Sequence, residues 1–81
     1  MILMTTQITE TLKMAKRAAL KGDITILGSW AMGERYLLVD FVAVTVQLVE
    51  GGEMGEVIPL WESPGTFMAS CMRDSGYRVV V

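Results

Sequence analysis

From Glu34 to Val49 the chain reads as one strand-like run, apolar on both of its alternating rows around residues 37 to 44, with a carboxylate, Asp40, at its middle. The even row holds Tyr36, Leu38, Val42 and Val44, and the odd row holds Leu37, Val39, Phe41 and Ala43. Successive side chains of a strand point to opposite faces, so a run apolar on both rows needs cover on both. One face would meet a helix, and the other a second subunit. Asp40 falls in the more apolar row, where a buried carboxylate without partners is costly. Two outcomes are open. A bulge or break near Asp40 changes the phase, which the pattern favours. Alternatively, Asp40 is held inward to accept hydrogen bonds from a ligand or an arginine.

The other elements are shorter. Residues 5 to 21 predict a helix: Ile8, Leu12, Ala15 and Ala19 recur at helical spacing. Thr5 or Thr6 caps its start, basic residues gather towards its end, and Gly22 stops it. Residues 23 to 29 alternate as a strand, and Trp30 to Gly33 make a turn. A tryptophan there either folds back on the core or sits at an interface or ligand edge. Glu50 to Gly55 is a glycine-rich hairpin turn; no lysine and no helix follow, so it fails the phosphate-loop pattern. Val57 to Trp61 return as a strand, with Pro59 implying an edge or a strand end.

Ser63 and Pro64 then open a short helix to Asp74, as cap and first helical residue. Its inward face is Phe67, Met68, Cys71 and Met72. Tyr77 to Val81 form a last strand, expected inside the sheet. The order predicts one α+β domain over residues 1–81. Its N-terminal helix packs on an antiparallel sheet of four to five strands, with a short helix before the last strand.

A chain of 81 residues buries a small fraction of its surface. One cysteine rules out an internal disulfide, and the lack of histidine argues against zinc. With 52% hydrophobic residues, oligomerisation is the expected support. A net charge of −2 and no basic run after the first helix argue against binding a nucleic-acid polymer. No stretch is long enough for a membrane span, and the opening Met1 to Met4 is too short for a signal peptide. These features predict a cytoplasmic protein.

The sequence offers little for catalysis. Cys71 lies on an apolar helix face, Ser63 has no evident base, and the carboxylates are scattered without metal-binding spacing. The expectation is therefore no enzyme, no catalytic residues, no metal and no cofactor. Binding remains. Trp61 lies two residues before a capped helix, where unpaired N–H groups favour anions, so an indole beside Ser63 and Thr66 suits a nucleotide. The competing reading makes Trp61 core and Ser63 only a cap. Trp30 and Tyr36 add flat faces and Arg35 adds charge, giving candidate ligand residues Trp30, Arg35, Tyr36, Trp61, Ser63 and Thr66.

Several of these features lie in one order. An alanine- and leucine-rich stripe ends in Lys21-Gly22, and a tryptophan, Trp30, follows the first strand. Tyr36-Leu37-Leu38-Val39 comes next, then Pro59 and Trp61 ahead of Ser63 and a short helix, and finally Tyr77 before a run of valines. This order resembles the second class of Thoeris anti-defence proteins, small phage proteins that block that defence by sequestering its signal. The resemblance implies a homotetramer that binds a cyclic nucleotide or cyclic ADP-ribose-type signal without cleaving it. Trp30 and Trp61 would stack on the ligand, with Ser63 and Thr66 near phosphate or ribose. Leu60 separates Pro59 from Trp61, and Thr66 stands where the family commonly has aspartate, so differences would fall on the ligand more than on the fold. The alternative is a small oligomeric module that blocks a host protein through an apolar sheet face or edge strand.

Overall fold

The computed structural model describes residues 22–31, 33–51 and 53–80, together with Arg17. Among the described residues, the elements with defined bounds are, in chain order, β1 (Ile24–Ser29), β2 (Arg35–Asp40), β3 (Thr45–Glu50), β4 (Glu53–Pro59), α1 (Pro64–Asp74) and β5 (Arg78–Val79). All strand pairs are antiparallel, in the order β4-β3-β2-β1-β5. The domain is α+β, with a five-stranded sheet and a short helix before the last strand. The helix expected over 5 to 21 lies, apart from Arg17, outside the described residues.

The long run from Glu34 to Val49 is two strands joined by a tight loop. Asp40 ends β2, and its Oδ1 accepts hydrogen bonds from the backbone N–H groups of Val42 and Ala43, both at 2.9 Å. The carboxylate thus turns the chain, as aspartate commonly does at turns. Two backbone bonds anchor the loop from outside: Phe41 N–H to Asp23 C=O at 2.8 Å, and Leu60 N–H to Val44 C=O at 2.9 Å. The expected break is therefore complete, and its cause is local hydrogen bonding. Composition concealed the length of the loop, because Phe41, Val42 and Val44 are apolar yet exposed there.

Val44 closes this loop at φ 56°, in the left-handed region. A side chain there meets its own carbonyl, at roughly 1–2 kcal/mol for most residues and less for asparagine, which tolerates the conformation. Val44→Asn is expected to raise the unfolding free energy by roughly 1 kcal/mol. Urea unfolding at equilibrium checks this. A lower midpoint with unchanged slope would mean that valine packing outweighs the strain.

The Glu50 to Gly55 turn is tighter than its sequence. Glu50 pairs with Glu53, so two residues make the connection, with Gly51 at φ 61°. A positive φ there gives the twist that two-residue hairpins need, and glycine reaches it without a Cβ clash. β4 therefore starts at Glu53, well before Val57, and carries an irregularity opposite Gln47 to Val49.

β4 and β5 are the two edges. α1 leaves one edge, crosses a face of the sheet and delivers the chain to β1 at the other. The expectation that the last strand lies inside the sheet is corrected: after that crossing, the free side of β1 is where β5 pairs. Under α1, Leu27, Val39 and Val46 pack with Phe67, Met68, Cys71 and Leu60. Met72 was expected to face inward too, but it is exposed. The opposite face carries Ile26, Leu38, Tyr36 and Val49, with Ile26 at 0% and Val49 at 1% exposure. Both faces are thus covered, as the two apolar rows require.

Candidate functional site

The register places the six candidate residues in three groups. Ser29, Arg35, Glu50 and Glu53 align at one end of the sheet, and Ile24, Asp40, Thr45 and Pro59 at the other. Trp30 follows the first end and Trp61 follows the second. Five strand residues separate these ends, roughly 17 Å.

Trp30 folds back over the Ile26 face. A Cβ on Gly28 would come to 2.9 Å of the Trp30 Cη2 and 2.8 Å of the Val80 Cγ2, so the ring rests where glycine leaves room. Its edge meets Tyr36, with centroids 5.9 Å apart and planes at 88°, a favoured aromatic geometry. The Trp30 side chain nevertheless stays 56% exposed. The Tyr36 hydroxyl donates to Glu34 Oε1. Burial first, and then this carboxylate, push the Tyr36 hydroxyl up to about 12, so it remains a neutral donor at physiological pH.

Arg35 is next to Tyr36 in sequence and so points to the opposite, helix-covered face. It forms an ion pair across the sheet with Glu50, both side chains partly open to solvent. Such a pair contributes about 0–1 kcal/mol. Arg35 also lines a cleft of about 320 Å³ with Ser29, Ala31, Ser75 and Tyr77. This lies at the small end of ligand-pocket sizes, roughly 300–1,000 Å³. Burial raises the Tyr77 hydroxyl above its ordinary range, while the Arg35 charge pulls it the other way. The cleft therefore offers a guanidinium, a phenol and the hydroxyls of Ser29 and Ser75.

Ser29, Ser75 and Tyr77 were absent from the sequence candidates. Their meeting depends on the β1–β2 register and on the end of α1 falling beside Arg35. No local motif carries that information.

Trp61, Ser63 and Thr66 gather at the other end, where α1 begins. Trp61 is 79% exposed and stands crosswise to Phe67, with centroids 6.5 Å apart and planes at 84°. The indole is thus largely open to solvent, and Trp61 is not core. Ser63 caps α1 in extended backbone (φ −62°, ψ 145°). Its Oγ accepts from Thr66 N–H at 3.2 Å and donates to Thr66 Oγ1 at 2.8 Å. Pro64 has no N–H to offer, and Phe67 N–H already reaches Ser63 C=O at 3.0 Å. Ser63 thus serves its own helix. An anion here would rely on Gly65 N–H and the positive end of the helix rather than on a free set of amides.

Within one chain the two tryptophans therefore lie at opposite ends and on opposite faces of the sheet. Trp61, Ser63 and Thr66 come together; Trp30 and Tyr36 come together; Arg35 stands apart on the cleft. Any ligand that uses both indoles needs two copies of the chain.

Cys71 is half-buried on the sheet-facing side of α1. Burial first, then Glu62 and Asp74, raise its thiol above the ordinary value. Less thiolate exists at a given pH, and the thiolate is the reactive form. Iodoacetamide at pH 8 is expected to label Cys71 several-fold more slowly than a free cysteine peptide. Labelling at the peptide rate would contradict this environment.

Among the described residues, no group of three His, Cys, Asp or Glu could hold a metal ion. No described helix is long and apolar enough to cross a membrane. Compared with known proteins, the chain matches no family model, no curated protein and no solved structure.

Proposed function

We propose that this chain is a non-enzymatic binding protein that captures a small phosphate-bearing nucleotide and holds it without turnover. The observation that carries the reading is Trp61: a tryptophan 79% exposed, braced by Phe67, beside the capped start of α1. A ring left in water with a fixed orientation suits stacking on a base, which contributes about 1–3 kcal/mol per base. The positive end of α1 supports an anion beside it. Trp30, Tyr36 and Arg35 supply a second aromatic edge and a cation at the other end of the sheet, for use by a neighbouring copy.

In its narrower form, the reading follows the resemblance to the signal-sequestering Thoeris anti-defence proteins. The ligand is then a cyclic nucleotide or cyclic ADP-ribose-type immune signal, the assembly a homotetramer, and the place of action the cytoplasm of an infected bacterium.

Titration calorimetry against cyclic dinucleotides and cyclic ADP-ribose isomers tests the capture. Binding at micromolar concentration or tighter, with the ligand recovered intact, supports it. No heat with any of them ends it.

The second reading, a module that blocks a host protein, is favoured by β4, whose seven residues are all exposed. Pull-down of one stoichiometric protein, with no small molecule retained, would decide for that reading.

A further inference from the structure

We propose that two copies of this chain pair antiparallel through β4, about a two-fold axis at Val57, to form a continuous ten-stranded sheet. The inference builds on the oligomeric part of the proposed function and does not need the ligand.

Hydrogen-bond directions along β4 carry it. Leu60 N–H donates to Val44 C=O, which makes that pair a bonded one in the β3–β4 ladder. Bonded and non-bonded pairs alternate, so Ile58 with Val46 is the next bonded pair. Val57, opposite Gln47, therefore points its N–H and C=O away from β3. Pro59 faces the same way, where its missing N–H breaks no bond within the sheet. A two-fold at Val57 lets the two Val57 residues exchange both of their backbone bonds.

The neighbouring positions agree. In that register Gly55 stands opposite Pro59 of the partner subunit. Proline has no N–H to give, and the Gly55 carbonyl does not need one: Gln47 Nε2 already donates to it at 2.9 Å. Glu56 stands opposite Ile58 of the partner subunit, whereas a two-fold one residue earlier would set Glu56 against itself. Like charges directly opposed destabilise a strand pair.

The edge is also apolar: Met54, Val57 and Ile58 are large apolar residues left exposed along β4 itself. An exposed apolar edge strand is otherwise a template for uncontrolled pairing, and a closed two-fold contact removes it.

The pairing bears on the site. In this register Trp61 stands opposite Glu53 of the partner subunit, at the end of the partner's sheet where Glu50 meets Arg35. The two-fold runs perpendicular to the sheet, so Arg35 of the partner subunit comes to the same end and the same face as Trp61, while Trp30 stays on the other face.

Val57→Pro is the direct test, because it removes an N–H used only between copies. Light scattering coupled to size exclusion, without ligand, is expected to give an even multiple of the 8.9 kDa chain mass for the wild type. The folded variant is expected to show half that mass or less. A wild type of single-chain mass overturns the proposal, as does a folded variant that keeps the wild-type mass. If Val57→Pro does not fold, amide exchange on the wild type decides. A protected Val57 amide supports the pairing, and one exchanging as fast as an open amide overturns it. Ligand binding by a single-chain protein would overturn the pairing and leave capture standing.

Discussion

Trp61→Ala is expected to weaken nucleotide capture by roughly ten- to a hundredfold, the loss of one stacked base. The same change should leave the unfolding free energy within about 0.5 kcal/mol of wild type. The two effects separate because Trp61 is mostly exposed and packs its ring crosswise against Phe67. Truncation therefore removes little buried area. Calorimetry of the variant, paired with a urea melt, reads both. A variant that binds as well as wild type removes the stacking role. A variant that loses several kcal/mol of stability shows instead that the ring supports α1.

The second large effect is on the fold. Leu27→Ala is expected to destabilise the domain by about 3 kcal/mol, within the usual range of about 2–5 kcal/mol for a fully buried leucine. Leu27 is wholly buried and lies in the cluster where α1 meets the sheet, with Val39 and Val46 beneath Phe67, Met68 and Cys71. A domain of this length has about 4–12 kcal/mol in total, so the loss is a large share. The helix should melt with the sheet, since this cluster is where it packs among the described residues. Urea unfolding followed by far-UV circular dichroism and tryptophan emission checks both points. A loss under 1 kcal/mol, or a helix that melts separately, would contradict this account of the core.

The short elements with their own punctuation were legible in the sequence. Ser63-Pro64 at one end and Gly76 past the other bracket α1, and the structure places the helix over Pro64 to Asp74. The alternation after Asp23 and the Pro59 edge position were equally direct. The break near Asp40 was legible as a break, but the four-residue loop at 41–44 that makes it was not. Its residues carry strand propensity, and the turn is made by the Asp40 side chain and by anchors from Asp23 and Leu60, distant in sequence. The same limit applies to the candidate site. A cap and a neighbouring indole can be read along the chain, whereas the Arg35–Tyr77 cleft exists only through strand register. The separation of Trp30 from Trp61 likewise follows from counting along the sheet, which needs the pairing first.

Native mass spectrometry of the chain titrated with cyclic dinucleotides and cyclic ADP-ribose isomers reads the central claim in one experiment. The claim is that Trp61 and the Arg35 cleft, too far apart to cooperate within one molecule, are brought together between copies. The expected spectrum shows an even-numbered assembly carrying intact nucleotide, with no ligand on single chains. Single chains at every concentration, or assemblies that carry none of the nucleotides, would contradict it.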